Sequence, residues 1–210
     1  ALRTRRASAH PLPTRPPTRH TLRSDPMTTL SLPQQPDQPK GAQATATLAL
    51  IGNPNCGKTT LFNRLTGLRA KTANFPGTTV EHRTARLDLA GRDTRLIDLP
   101  GMYSLEPVTP DERVAVDALL GQLDGVDKPD GVLLILDATN LERNLFLAGQ
   151  VLELGLPTVV AVNLVDIASR AGIDLDLKRL EEELGTPVVA IAARQGAGMD
   201  RLRTQLDRVL

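Results

Sequence analysis

The chain alternates between short apolar runs and stretches with helical spacing. Leu48-Ala49-Leu50-Ile51 forms a first apolar run, followed by a glycine-bearing loop and then by 59–65, which reads as a helix. Residues 81–89 alternate polar and apolar side chains, as a half-exposed strand does, and 95–98 forms a second short strand after a turn at Gly91. The run Val132-Leu133-Leu134-Ile135-Leu136 is continuous, which predicts a strand covered on both faces. Two more buried strands are expected at 158–162 and 188–191, with helices at 177–184 and 198–210.

Two helix starts are written in local chemistry. Thr109-Pro110-Asp111-Glu112 offers a capping Thr, a Pro at the first helical position and a Glu three residues after the cap, leading into 114–120. Thr139-Asn140-Leu141-Glu142 predicts a second capped start, after which Leu141, Leu145, Ala148, Val151 and Leu152 recur at helical spacing. The stretch 67–80 has no periodicity and reads as a loop. Strand and helix thus alternate nearly throughout, which predicts an α/β fold. Its mostly parallel sheet would have six to seven strands, with helices on both faces.

Composition narrows the classes. With 210 residues, 40% of them hydrophobic, the chain can bury one full core. One cysteine, Cys56, excludes a disulfide scaffold and a multi-cysteine zinc site. No apolar run approaches the roughly 18–20 residues that span a bilayer. Aromatic residues make up 2% of the chain (Phe62, Phe75, Tyr103, Phe146), too few to build a surface that stacks unpaired bases.

Charge is unevenly spread. Residues 1–26 hold six arginines against Asp25, a net of +5; from a total of +1, the rest of the chain carries −4. Half of the 16 prolines precede residue 41, and residues 1–46 are expected to be a disordered basic, Pro-rich tail. The part before Met27 reads as sequence translated upstream of a start at Met27. The other readings are a targeting peptide, opposed by Pro11, Pro13, Pro16 and Pro17, and a basic arm for anionic lipid or nucleic acid. The folded part is expected over 47–210.

The strongest chemical signal is Gly52-Asn53-Pro54-Asn55-Cys56-Gly57-Lys58-Thr59, which fits G-x-x-x-x-G-K-[ST] between a predicted strand and a predicted helix. Its glycines let main-chain N–H groups face a phosphate, and the helix start adds partial positive charge. Lys58 offers a mobile cation for the outer phosphates, and the Thr59 hydroxyl a ligand for Mg²⁺. Cys56, at this helix start, reads as a small loop residue rather than a redox switch.

Three further segments select the nucleotide. Asn163-Leu164-Val165-Asp166 follows a buried strand, where the Asp166 carboxylate can accept two N–H bonds from guanine, a pattern adenine lacks. Asp98-Leu99-Pro100-Gly101 ends another strand; Asp98 can hold a Mg²⁺-bound water and the Gly101 N–H can sense the γ-phosphate. Thr78 and Thr79 compete as the switch-loop hydroxyl that completes the Mg²⁺ shell.

Together these motifs resemble a translation-factor-class P-loop GTPase, and specifically the N-terminal G domain of the ferrous iron transporter FeoB. The resemblance rests on GNPNCGKTT (Gly52 to Thr60), NFPGTTVE (around Gly77, Thr78 and Thr79), DLPGMYSL from Asp98, PDGVLLILDATNLE from Pro129, NLVD from Asn163 and PVVAIAARQGAG from Pro187. It implies GTP and GDP as ligands with Mg²⁺, held by Thr59, Thr79 and, through water, Asp98. It also implies that Thr79 rather than Thr78 is the metal ligand, and that Asn55 helps to hold K⁺ against the phosphates. Ala192-Ala193-Arg194 would touch the guanine carbonyl, with Ala192 standing where a Ser is usual. The loss of that hydroxyl lowers the expected guanine affinity or its selectivity over adenine.

Met102 stands where a Ras-like enzyme carries the glutamine that orients water, and Leu164 replaces the usual lysine of N-K-x-D. GTP hydrolysis is therefore expected to be slow, K⁺-stimulated, and served by Lys58, Asn55, Thr79 and Gly101. The resemblance further implies a membrane-embedded iron-permease partner in the same or a longer polypeptide. The domain would then sit on the cytoplasmic face of the bacterial inner membrane, or in the cytoplasm as a separate piece. No nucleic acid is expected, and an oligomer is left open. The alternative is an RNA- or ribosome-associated GTPase of the Era or MnmE type, which the acidic balance of the folded part opposes.

Overall fold

The apolar runs become the inner strands of one sheet in the computed structural model, which describes residues 46–89 and 91–210. The readings of the tail and of Met27 lie outside these residues, except that Ala46 already belongs to the first strand. Seven strands are present: β1 (Ala46–Gly52), β2 (Lys71–Asn74), β3 (Glu81–Leu89), β4 (Arg92–Asp98), β5 (Gly131–Asp137), β6 (Thr158–Asn163) and β7 (Val188–Ala190). Their order is β2-β3-β4-β1-β5-β6-β7. β4, β1, β5, β6 and β7 run parallel, while β2 and β3 add an antiparallel edge.

Six α-helices accompany them among the described residues: α1 (Lys58–Thr66), α2 (Pro110–Leu120), α3 (Leu141–Glu153), α4 (Val165–Arg170), α5 (Leu177–Leu184) and α6 (Met199–Val209). The central strands explain why both faces need cover. Along β5, Val132, Leu134 and Leu136 enter one core with α2, α3 and α5, whereas Leu133 and Ile135 enter another with α1 and α6. Alternation along a strand sends neighbouring side chains to opposite faces, and here both faces are apolar.

The capping box at Thr109 forms as its residues dictate: Glu112 N–H donates to Thr109 Oγ1 at 3.2 Å, and Glu112 Oε2 accepts the Thr109 N–H at 3.0 Å. The second start differs from expectation. Residues Ala138–Asn140 form a 3₁₀ turn capped by Asp137, whose Oδ1 accepts the Thr139 N–H at 2.8 Å and the Thr139 hydroxyl at 2.7 Å. The Thr139 hydroxyl is spent on that carboxylate, and α3 begins without a side-chain cap. β2 was not expected. All four of its residues are exposed, so no buried face imposed a period on the sequence.

Parallel strands bring their carboxyl ends to one edge of the sheet. The loops after β1, β4, β6 and β7 carry the four sequence segments singled out above, and they meet there.

Candidate nucleotide site

The loop 53–57 leaves β1 and turns into α1 under tight steric limits. Gly57 has φ +93°, and a Cβ there would lie 2.3 Å from Asn163 Nδ2. At Gly52 a Cβ would meet Ile135 Cγ2 at 2.5 Å, which is why the strand ends on glycine. Asn55 takes φ +66°, a left-handed conformation that asparagine tolerates better than most residues, and its side chain is exposed.

Lys58 points from the first turn of α1 to the end of β4, where its Nζ lies 3.1 Å from Asp98 Oδ1. Burial raises the Asp98 pKa above the usual carboxylate value, and the Lys58 ammonium opposes that shift. The cysteine is settled by burial. Its thiol is pushed up to about 11, against the pull of Lys58, and it is inaccessible in the core under α1.

Two cavities share Lys58. One, of about 430 Å³, is lined by Asn53, Pro54, Asn55, Gly57, Thr59, Thr60 and Gly101. The other, of about 440 Å³, is lined by Thr79, Asp98, Leu99 and Pro100, together with Glu81, His82, Arg83 and Asp111. The two threonines differ in local bonding. Thr78 Oγ1 donates to Phe75 O at 3.1 Å and accepts the Val80 N–H at 3.2 Å, closing its own turn. Thr79 is exposed and lines the cavity beside Lys58 and Asp98.

This donor set fits a magnesium-bound phosphate chain. Magnesium usually takes one or two protein oxygens and completes its shell with water and substrate phosphates. Thr59, Thr79 and Asp98 are hard oxygen donors of that kind, and no group of three or more His, Cys, Asp or Glu side chains among the described residues forms a metal cage. The Asn53 side chain adds a second sign. It is buried, yet neither its Nδ2 nor its Oδ1 has a hydrogen-bond partner, so the loop retains unused polar capacity beside the cavity.

The base side of the site is built around Asn163, at the end of β6. Its Nδ2 donates to Cys56 O at 2.9 Å and its Oδ1 accepts the Ala193 N–H at 3.0 Å, so one buried amide ties the phosphate loop to the loop after β7. Leu164 follows with φ +65° and starts α4, whose first turn carries Asp166. Arg64 of α1 donates from Nε to Ala193 O at 3.1 Å and from a terminal nitrogen to Arg194 O at 2.6 Å.

Lys58, Thr79 and Asp98 to Pro100 share one cavity, and Asn53 to Asn55, Gly57 to Thr60 and Gly101 share the other; Asn163 joins the phosphate loop to Ala193, and Asp166 bonds Gln195 of that same loop after β7. Neither of these two cavities is lined by Gly52, Cys56, Gly77, Thr78, Asn163 to Asp166 or Ala192 to Arg194. Sequence reasoning missed Arg64, Gln195 and His82. Arg64 and Gln195 act across more than 25 positions of chain, so no local pattern marks them; His82 stacks on Phe75 at 4.1 Å between ring centroids.

Comparison with known proteins agrees with this fold. The sequence profile described as Ferrous iron transport protein B matches residues 46–206. A curated relative, the Fe(2+) transporter FeoB of Leptospira biflexa, is 42% identical over 159 residues, which is 76% of this chain but 22% of that protein. The chain thus spans about a fifth of the length of the curated relatives it matches. The structure of the cytosolic domain of L. pneumophila FeoB superposes with a TM-score of 0.72 at 42% identity, covering 78% of this chain and 68% of that one. The cytosolic domain of the T. maritima FeoB iron transporter in its GDP form gives a TM-score of 0.72 at 37% identity, covering 78% and 63%.

Proposed function

Because this chain belongs to the N-terminal G-domain family of ferrous iron transport protein B, we propose that it binds GTP and GDP and hydrolyses GTP to GDP and phosphate. The RNA-associated alternative is not favoured by these matches. The observation that carries the reading is the position of Lys58, shared by two cavities and paired with Asp98, with Thr79 on one side and Gly101 on the other.

Each residue then has a role its chemistry supports. Lys58 and the main-chain N–H groups of the phosphate loop after Pro54, through Thr59, hold the β- and γ-phosphates. The Gly101 N–H faces the γ-phosphate, and Asp166 accepts the two guanine N–H groups while Ala192, Ala193 and Arg194 frame the carbonyl. Thr59, Thr79 and, through water, Asp98 would hold Mg²⁺, which when bound neutralises charge on the phosphate oxygens. The exposed Asn55 oxygen would hold K⁺ near the same phosphates. Met102 is fully buried and has no group to orient water, so hydrolysis is slow and leans on Lys58 and the cations.

In the longer protein this domain would work on the cytoplasmic face of the bacterial inner membrane, beside an iron-permeating membrane region whose Fe²⁺ passage it regulates. No helix among the described residues is long and apolar enough to cross a membrane. The test is turnover of GTP against ATP with Mg²⁺, in K⁺ and then in Na⁺. GTP is expected to turn over faster than ATP and faster in K⁺, and Asn55→Ala should keep GDP binding while losing the K⁺ response. Absence of calorimetric heat from GDP and GTP with the folded chain would overturn the reading.

A further inference from the structure

Asp166 is not left loose in the site. Its Oδ2 accepts a hydrogen bond from Gln195 Nε2 at 2.9 Å and a longer one from Arg170 at 3.3 Å. We infer that Gln195 is the positioning residue that aims the Asp166 carboxylate at the guanine edge and so sets base selectivity. This rests on the base-recognition role proposed for Asp166.

Gln195 is well placed because its backbone is pinned from several sides. Its own N–H and that of Gly196 both bond Ala192 O at 2.9 Å, and the Ala192 N–H bonds Ala197 O at 3.1 Å. Gly198 closes the turn at φ +78°, where a Cβ would sit 2.2 Å from Ala190 O. From the other side Arg64 grips the carbonyls of Ala193 and Arg194. A long side chain on such a fixed turn loses less freedom on making one bond than it would on a free loop.

The chemistry of the pair also fits. An ionised carboxylate only accepts hydrogen bonds, at roughly four lone-pair positions, so the glutamine presents its NH₂. Being neutral, it orients the carboxylate without cancelling the charge that attracts the guanine N–H groups. Arg170 is a poorer candidate, because its contact is the longer one.

The experiment measures GDP and ADP affinity by calorimetry and competition for the chain, Gln195→Ala, Gln195→Glu and Asp166→Ala. Gln195 is exposed, so its variants are expected to keep the nucleotide-free melting temperature. Losing the preorganisation of the Asp166 carboxylate predicts GDP binding about tenfold weaker in Gln195→Ala, with ADP binding unmoved. Gln195→Glu keeps the shape but sets a like charge against Asp166, and should weaken GDP further; a packing role would leave it harmless. GDP affinity unchanged or tightened in Gln195→Ala, while Asp166→Ala loses it, overturns this inference alone. Unchanged GDP affinity in Asp166→Ala overturns the base-recognition reading, and this inference with it.

Discussion

Asn163 donates its side-chain amide to the Cys56 carbonyl at 2.9 Å, joining residues 107 positions apart. With the opposite end of the same amide taking the Ala193 N–H, the phosphate loop and the base loop share one buried fastener. A change at one loop is therefore felt at the other.

Asn163→Ala leaves a buried carbonyl and a buried N–H unpaired, each costing about 1–3 kcal/mol. The expected outcome is a lower melting temperature without nucleotide and weaker binding of GDP and ADP alike, because both loops loosen. Denaturation and calorimetry on the same variant check this. A loss restricted to guanine nucleotides would place Asn163 on the base rather than between the loops.

The Lys58–Asp98 pair predicts a pH dependence of the nucleotide-free protein. Burial raises the Asp98 pKa, so the folded state holds its proton more tightly than the unfolded chain and the ionised form costs stability above the folded pKa. Lys58→Met removes the compensating cation. The variant should lose on the order of 2–4 kcal/mol near pH 7 and recover part of it as the pH falls through the raised pKa. Melting curves from pH 7 down to pH 4 measure it, and a loss independent of pH would show that Asp98 is not the titrating group.

His82 predicts the opposite slope. Its pKa is lowered from 6.5, first by burial and then by Arg95, so the folded state favours the neutral ring. The stability it contributes is complete above pH 6.5 and is lost as the pH falls from there to the lowered folded value. The ring stacks on Phe75, at the foot of the Thr78–Thr79 turn, so acid should loosen that turn. His82→Gln should flatten this part of the melting profile; an unchanged slope between pH 7 and pH 5 would refute it.

Cys56 should be chemically quiet. A buried thiol with its pKa pushed up to about 11 presents little thiolate at pH 8. Alkylation of the native protein is expected to be at least about tenfold slower than after unfolding in denaturant, followed by mass. Equal rates would mean that the loop opens readily in solution.

What the linear chain determined was whatever neighbouring residues decide among themselves. The continuous apolar run at 132–136 demanded a strand covered on both faces, Thr109 to Glu112 closed a cap within one turn, and the Gly52 to Thr59 spacing dictated a phosphate loop. The exposed strand β2, with no face to bury, left no such trace. Tertiary structure alone decided the rest, because those contacts join distant segments at the carboxyl edge of the sheet. It spent the Thr78 hydroxyl on a turn and left Thr79 at the cavity. It set Lys58 against Asp98, and it put Gln195 on Asp166 across 29 positions. Hydrogen bonds of a few ångströms depend on where the chain returns, which composition and period do not encode.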